Sequence, residues 1–450
     1  MSKMASQIKV EIIERQTVKP SSPTPHHLRN YELSHFDQNA FQIFLSLLLV
    51  YPNADATTNN ERCQHLLQSL SKTLTHFYPL AGRIKGDAVI ECNDDGAEFA
   101  KARVKCTISE ILEHPDPEML RRFLAVEHES SESVTGTLLR VQINLFECGG
   151  MAIGLSISHK FADTSTLSTF INCWTATAHD ESNKLMFPKF GAASLLSPLN
   201  LSNSEPPPLQ PEEAAKEKCM TRRFVFDASK IAALQSKVAS SVVPKPTRVE
   251  AVSALIWKCQ IEASSRSSSN MLGTSLIRPS LFSHPMNLRK YAVPPLPENL
   301  VGNLVDFSIA DYSHPGGEST SVIDLKDLIA KIKGALEKIK QRCASKVVFD
   351  SNKAREKMKE YMDVVKNADI DTYGCSSWCR FPFYEADFGW GKPSWVSYIP
   401  VEANNLTVLM DKRDGNGIEA WVNLSQENMA LFESNEELLA YASLNPRVTY

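Results

Sequence analysis

Residues 156–170 read "SISHKFADTSTLSTF", and two side chains in this stretch could do chemistry: His159 and Asp163. A neutral imidazole, with a reference pKa of about 6.5, takes a proton from a hydroxyl near neutral pH, provided that its ring is held in one orientation. Asp163 has two readings from its position alone. It is an N-cap for the helix that follows, or it is a partner for the imidazole. Motifs of competing chemistry are missing. The chain has no H-E-x-x-H, no G-x-S-x-G, no phosphate-binding Walker loop and no G-x-G-x-x-G.

The elements that must hold these groups are legible around them. Met151, Ile153, Leu155, Ile157 and His159 share one phase of a strand, and Ala152, Gly154, Ser156 and Ser158 share the other. His159 therefore ends the strand on its large-side-chain face, and the small residues opposite admit a close backbone or a ligand. Leu167, Phe170, Ile171, Trp174 and Ala178 then form the apolar stripe of a helix opened by Asp163. Gly149-Gly150 predicts a hairpin upstream, and Asp95-Gly96 between two β-prone runs predicts another. Leu66, Leu67, Leu70, Leu74 and Phe77 predict a helix over 63–81, ended by Pro79 and Gly82. After a proline-rich, acidic stretch come a strand, Asp227 as an N-cap, and a helix. "ASSRSSSN" at 263–270 reads as a polar loop, and a charged helix is expected near 324–342.

A chain of 450 residues exceeds one ordinary core. The expectation is mixed α/β in two domains: residues 1–195, a crossover linker at 196–217, and residues 218–450. Hydrophobic residues at 43%, charged residues at 22% and a formal net charge of -4 fit an ordinary globular protein. Without a long basic run, nucleic acid and anionic membrane are poor partners. The N-terminal residues lack an apolar signal stretch, and "FQIFLSLLLVY" at 41–51 is too short to span a bilayer. Ten cysteines are scattered singly; Cys375 and Cys379 lack the second pair that a zinc site needs, so no metal is expected. The reading is a cytoplasmic protein in a reducing compartment.

Further blocks carry a resemblance. "HKFAD" at 159–163 and "DFGWG" at 387–391 fit, in order, the H-x-x-x-D and D-F-G-W-G motifs of the BAHD acyltransferases of plants. "FYPLAGR" at 77–83, "NLRKYAVPPLPENLVGN" at 287–303 and "SSWCRFPFYEADFGWGKP" at 376–393 look like the same family. D-F-G also occurs in protein kinases, but no H-R-D or glycine-rich loop accompanies it here. "SSPTP", "FECGGMAIGLSISHKFAD" and "RFVFD" are most similar to the vinorine-synthase-like branch, which acetylates alkaloids and related alcohols.

The resemblance implies two similar-sized domains like chloramphenicol acetyltransferase, each a mixed sheet flanked by helices, with a solvent channel between them. It implies an acyl-CoA-dependent O-acyltransferase in which acyl-CoA is a co-substrate and no cofactor stays bound. His159 matches the general base, which deprotonates an acceptor hydroxyl. Asp163 matches a structural aspartate paired with an arginine, here Arg289, and Asp387 looks structural in the same way. Ser376 and Trp378 match positions beside the reacting centre, where a hydroxyl or indole N–H suits an oxyanion. Lys245, Thr247, Arg248, Ser377 and Arg380 match coenzyme A positions. Phe36, Phe381, Phe383 and Tyr384 are candidate channel linings. The resemblance also implies a monomer whose partners are acyl-CoA and a small alcohol: an alkaloid, terpenoid or phenolic. A short acyl donor such as acetyl is expected. An aromatic or branched-chain donor, or a ligand-binding relative without turnover, is the alternative.

Overall fold

The computed structural model describes residues 8–52, 58–86, 88–125, 136–180, 186–199, 219–272, 277–313, 323–345, 350–365, 369–401 and 403–449. Most of the expected crossover, residues 200–217, lies outside the described residues.

The fold is mixed α/β. A six-stranded sheet runs in the order Val10–Val18, Ala97–Val104, Leu139–Phe146, Met151–Ser158, Phe44–Tyr51 and Trp395–Tyr398. The strand Met151–Ser158 is buried on both faces, so the alternation of large and small residues is a packing pattern rather than an inside–outside one. Gly154 lies against the Phe123 carbonyl oxygen, where a Cβ has no room. Helix Thr164–Ala178 packs on helix Asn59–His76, with Phe170 edge-on to Phe77 at 5.3 Å and Trp174 Nε1 donating to Ser69 Oγ at 3.0 Å. The last strand of this sheet, Trp395–Tyr398, comes from the far end of the sequence and pairs antiparallel with Phe44–Tyr51.

A seven-stranded sheet runs Val305–Tyr312, Ser280–Asn287, Asp371–Ser377, Leu406–Asp411, Ile418–Ser425, Cys219–Phe226 and Ser443–Leu444. Its two faces serve different cores. Leu409, Ala420 and Val422 join a cluster with the helices Arg248–Leu272 and Leu325–Ala344. Val408, Met410 and Trp421, out of phase with them, join the cluster of the first sheet. The second sheet thus lies between its own helices and the first sheet's core.

Local signals were overridden in four places. No hairpin forms at Asp95-Gly96: residues 92–96 carry no regular structure, and the flanking strands do not pair. Val89–Glu91 pairs with Asn30–Glu32 and Arg83–Lys85 in a small third sheet, while Ala97–Val104 pairs with Val10–Val18 and Leu139–Phe146. Gly96 has φ 94° and sits against the Val18 carbonyl, so the glycine serves a crossing between sheets. Residues 263–270 are not a loop: helix Arg248–Leu272 runs through them. Ala263 is buried and Ser264 Oγ donates to Asp371 Oδ2 at 2.6 Å, so tertiary bonding outweighs the low helix propensity of serine. The helix expected to reach residue 81 stops at His76, and Tyr78–Ala81 forms one 3₁₀ turn. Asp227 occupies the N-cap position without capping; its carboxylate takes a bond from Lys412 at 2.5 Å instead. Among the described residues, no helix is long and apolar enough to cross a membrane, and no cluster of His, Cys, Asp or Glu could hold a metal ion.

Candidate active site

His159 follows directly on the strand Met151–Ser158, and both of its backbone polar groups are held. Its N–H donates to the Ile43 carbonyl at 2.9 Å, and its carbonyl accepts from Asn303 Nδ2 at 2.6 Å. Phe161 and Ala162, just beyond, are fully buried, and Phe161 packs edge-on to Tyr31 at 5.7 Å. The imidazole is enclosed but keeps accessible surface. Burial lowers its pKa below the ordinary histidine value, against the opposing effects of its own carbonyl, Asp163, Asn303 and the Ala162 backbone. The ring is therefore neutral near pH 7. A neutral, anchored imidazole is the state that a general base requires.

Asp163 caps the following helix, its Oδ1 accepting from Thr166 N–H at 2.8 Å. The same carboxylate is 3% exposed and meets Arg289, with Nη1 at 2.6 Å from Oδ2 and Nη2 at 3.2 Å from Oδ1. Leu304 N–H adds a bond to Oδ2 at 3.1 Å. Burial alone would raise its pKa, but Arg289 and the backbone donors more than reverse this and hold it below the ordinary aspartate value. The cap and the pairing with Arg289 thus describe one geometry, and the carboxylate bonds Thr166, Arg289 and Leu304 rather than the imidazole.

Arg289 is itself 1% exposed and fully engaged. It also donates to the carbonyls of Leu300 and Gly302, to Thr166 Oγ1 and to Asn287 Oδ1. Asn287 thereby orients the arginine. The segment 299–304 lies across the loop that carries His159, and the link continues to Asp37. Asn303 gives Asp37 Oδ1 both its N–H, at 2.7 Å, and its Nδ2, at 2.9 Å. Asp37 Oδ2 accepts from Ser34 N–H and Oγ at 2.9 and 2.6 Å. Burial still pushes the Asp37 carboxyl up to about 6. Neither Asn303 nor Asp37 was singled out from the sequence. Two signals were present: Ser34 and Asp37 have capping-box spacing, and Asn303 ends the "NLVGN" block.

Asp387 lies far from these groups in bonding terms. Its Oδ1 accepts the N–H of Gly389 at 2.8 Å and of Gly391 at 3.0 Å, and His179 Nε2 is 3.6 Å away. Gly389 and Gly391 have φ of 107° and 99°, so the turn around the carboxylate needs glycine at both places.

The remaining candidates fall on one strand and its neighbours. Ser376 is half-buried on Asp371–Ser377, with its Cα opposite Val408. Trp378 is 3% exposed, with its ring 5.2 Å from Tyr398 and 6.1 Å from Phe383, in the same apolar cluster as Ile157, Phe161 and Ala162. Phe381 and Phe383 touch at 5.7 Å, and Phe383 is buried in that cluster, with Phe381 and Tyr384 packed against it. Phe36 packs against two smaller clusters instead. Arg248 and Arg380 come together at Asp411, which pairs with Arg248 Nη2 at 3.0 Å and accepts the Arg380 N–H at 2.6 Å. Thr247 caps the helix Arg248–Leu272 reciprocally with Glu250. Ser377 Oγ accepts the Cys379 N–H at 3.4 Å, and Lys245 is exposed.

Residues 8–439 match the Transferase family. The chain is 39% identical to akuammiline synthase 1 of Alstonia scholaris over 438 residues, covering 96% of this chain and 97% of that one. It is 35% identical to deacetylvindoline O-acetyltransferase of Catharanthus roseus over 445 residues, covering 97% and 98%. The crystal structure of vinorine synthase superposes with a TM-score of 0.81 at 33% identity, over 98% of this chain and 100% of that one. The chain belongs to the BAHD family, with its two-domain chloramphenicol-acetyltransferase-like fold. It is an acyl-CoA-dependent O-acyltransferase.

Proposed function

We propose that the enzyme moves an acetyl or other short acyl group from coenzyme A to a hydroxyl of a plant specialised metabolite, with His159 as the general base. The observation that carries this is the placement of His159: backbone bonds to Ile43 and Asn303 hold its main chain at the strand end, and burial keeps its ring neutral. In the proposed reaction, the acceptor O–H gives its proton to the imidazole while its oxygen forms a bond to the thioester carbonyl carbon. The tetrahedral oxyanion then collapses, the C–S bond breaks, and the imidazolium returns its proton to the thiolate. No acyl-enzyme forms. Ser376 is the candidate oxyanion donor that the geometry favours, since it is half-buried on the face turned toward the first sheet, whereas Trp378 is packed in the core.

The coenzyme is proposed to lie along Lys245, Thr247, Arg248, Ser377 and Arg380. Exposed Lys245 and Arg380 supply charge for its phosphates, and Arg248, tied to Asp411, shapes the site. Acetyl is favoured because a relative's name states acetyl transfer. An alkaloid-like, terpenoid or phenolic alcohol is the proposed acceptor class. A monomer in the cytoplasm completes the reading, and all ten cysteines being free fits a reducing compartment. The test is thiol release from acetyl-coenzyme A with and without a panel of such alcohols. Alcohol-dependent release supports the reading, and none with any acyl-coenzyme A would sink it.

A further inference from the structure

His284 is an enclosed imidazole that the proposed reaction does not use. It sits where the second sheet comes apart. The strands Ser280–Asn287 and Asp371–Ser377 pair in parallel from Ser280 opposite Asp371 to Ser283 opposite Gly374, and there the pairing stops. Each strand continues with its other neighbour. Ser280–Asn287 stays paired with Val305–Tyr312 to its end, and Asp371–Ser377 stays paired with Leu406–Asp411 through Ser377. His284 is the first residue past the split. Its ring donates an N–H to the Cys375 carbonyl on the opposite strand, in place of a ladder bond. Burial pushes its pKa down to about 4, so the second ring nitrogen carries no proton at neutral pH. The residue is surrounded by protein and yet keeps accessible surface, as His159 does.

The split joins two sides of the sheet. Phe282 and Met286, in phase with His284, face the helices: Phe282 stacks on Trp257 at 5.0 Å, and Met286 packs with Ile339 and Cys343. Cys375 faces the same way, its Sγ 3.4 Å from Ser253 Oγ. Glu250, in the first turn of the helix that begins at Arg248, is close enough to act on the His284 charge. On the other side, Trp378 joins the core around the His159 loop. Three residues beyond His284, Asn287 bonds Arg289, the partner of Asp163. His284 stands where the ladder between these two strands ends, between the helix that starts at Arg248 and the strand end that leads to Ser376 and Trp378.

We propose that His284 is a donor-binding residue: its second ring nitrogen accepts a hydrogen bond from an amide N–H in the thioester arm of acyl-coenzyme A as the arm passes between the two strands. This rests on the acyltransfer reading above. Losing one neutral hydrogen bond in a dry site predicts that His284→Ala raises the KM for acetyl-coenzyme A about 3- to 10-fold, with kcat and the alcohol KM changed less than about 2-fold. Calorimetric binding of acetyl-coenzyme A without alcohol should weaken by the same factor. His284→Gln keeps a donor for the Cys375 carbonyl and an acceptor for the arm, so it should bind the donor like the native enzyme. With S-acetyl-mercaptoethanol, a thioester without amides, the native enzyme and His284→Ala should be equal. An unchanged KM for acetyl-coenzyme A in a folded His284→Ala protein, or the same loss with the amide-free thioester, would overturn the proposal and leave acyl transfer standing. A native enzyme that binds no acyl-coenzyme A and releases no thiol would overturn both.

Discussion

The Arg289 guanidinium holds the Asp163 carboxylate in a two-pronged pair, at 2.6 and 3.2 Å, with both side chains out of water. They stand 126 positions apart in the sequence, one at the start of the helix after His159 and the other just beyond a strand of the second sheet. The pair fastens the loop that bears the proposed base to the other half of the molecule.

Removing one member of such a pair leaves a buried charge uncompensated, a loss of about 3–5 kcal/mol. Asp163→Asn should therefore melt well below the native enzyme and lose activity with it, because the helix cap and the loop anchor go together. The pH dependence has a definite sign. The folded pKa of Asp163 is below its ordinary value of 3.8, so its stabilisation is present above the unfolded pKa and is lost as pH falls through the lower folded one. The native enzyme should show an acid unfolding limb below about pH 4 that Asp163→Asn lacks. Thermal melts of both proteins from pH 2 to 7 check this.

For the base, His159→Ala should lower kcat by at least about 100-fold while the fold is kept. Burial holds the pKa of His159 below 6.5, so the acid limb of kcat/KM should have its midpoint below that value, with activity falling as the ring takes up a proton. Near-native turnover of the alanine variant would dismiss His159 as the base.

Asp387 should act through folding. Asp387→Ala removes the acceptor of two backbone N–H groups in a glycine turn, and its melting temperature should fall while its donor KM stays near the native value. Gly389→Ala should be similar, because its backbone lies at φ 107°, where a Cβ is strained. A raised donor KM at an unchanged melting temperature would instead put Asp387 at the substrate.

Donor choice is tested by kcat/KM for acetyl-, isobutyryl- and coumaroyl-coenzyme A with one accepted alcohol. Acetyl is expected to lead. Phe383 is committed to the core and Phe381 and Tyr384 pack on it, so these rings do not decide the donor, and the expectation rests on the acetyl transfer that a relative's name states. A preference for coumaroyl would overturn the donor assignment without touching the base.

The sequence alone determined what is local. The strand into His159 and the helix out of Asp163 follow from period-two and 3.6-residue patterns over a few neighbours. The motif pair followed from residue types in order. Tertiary structure decided everything that depends on which distant segments meet. Asn303 became the donor to the His159 carbonyl only because residues 299–304 fold across that loop. The hairpin expected at Asp95-Gly96 did not form, because its two strands went to different sheets, and a local dipeptide does not choose a strand's partner. Residues 264–267 became helix because Asp371 and the core met their serines from outside. The split at His284 left no mark in the sequence, because the end of a ladder is a property of two strands whose paired residues stand 91 positions apart and of the neighbours that each strand keeps.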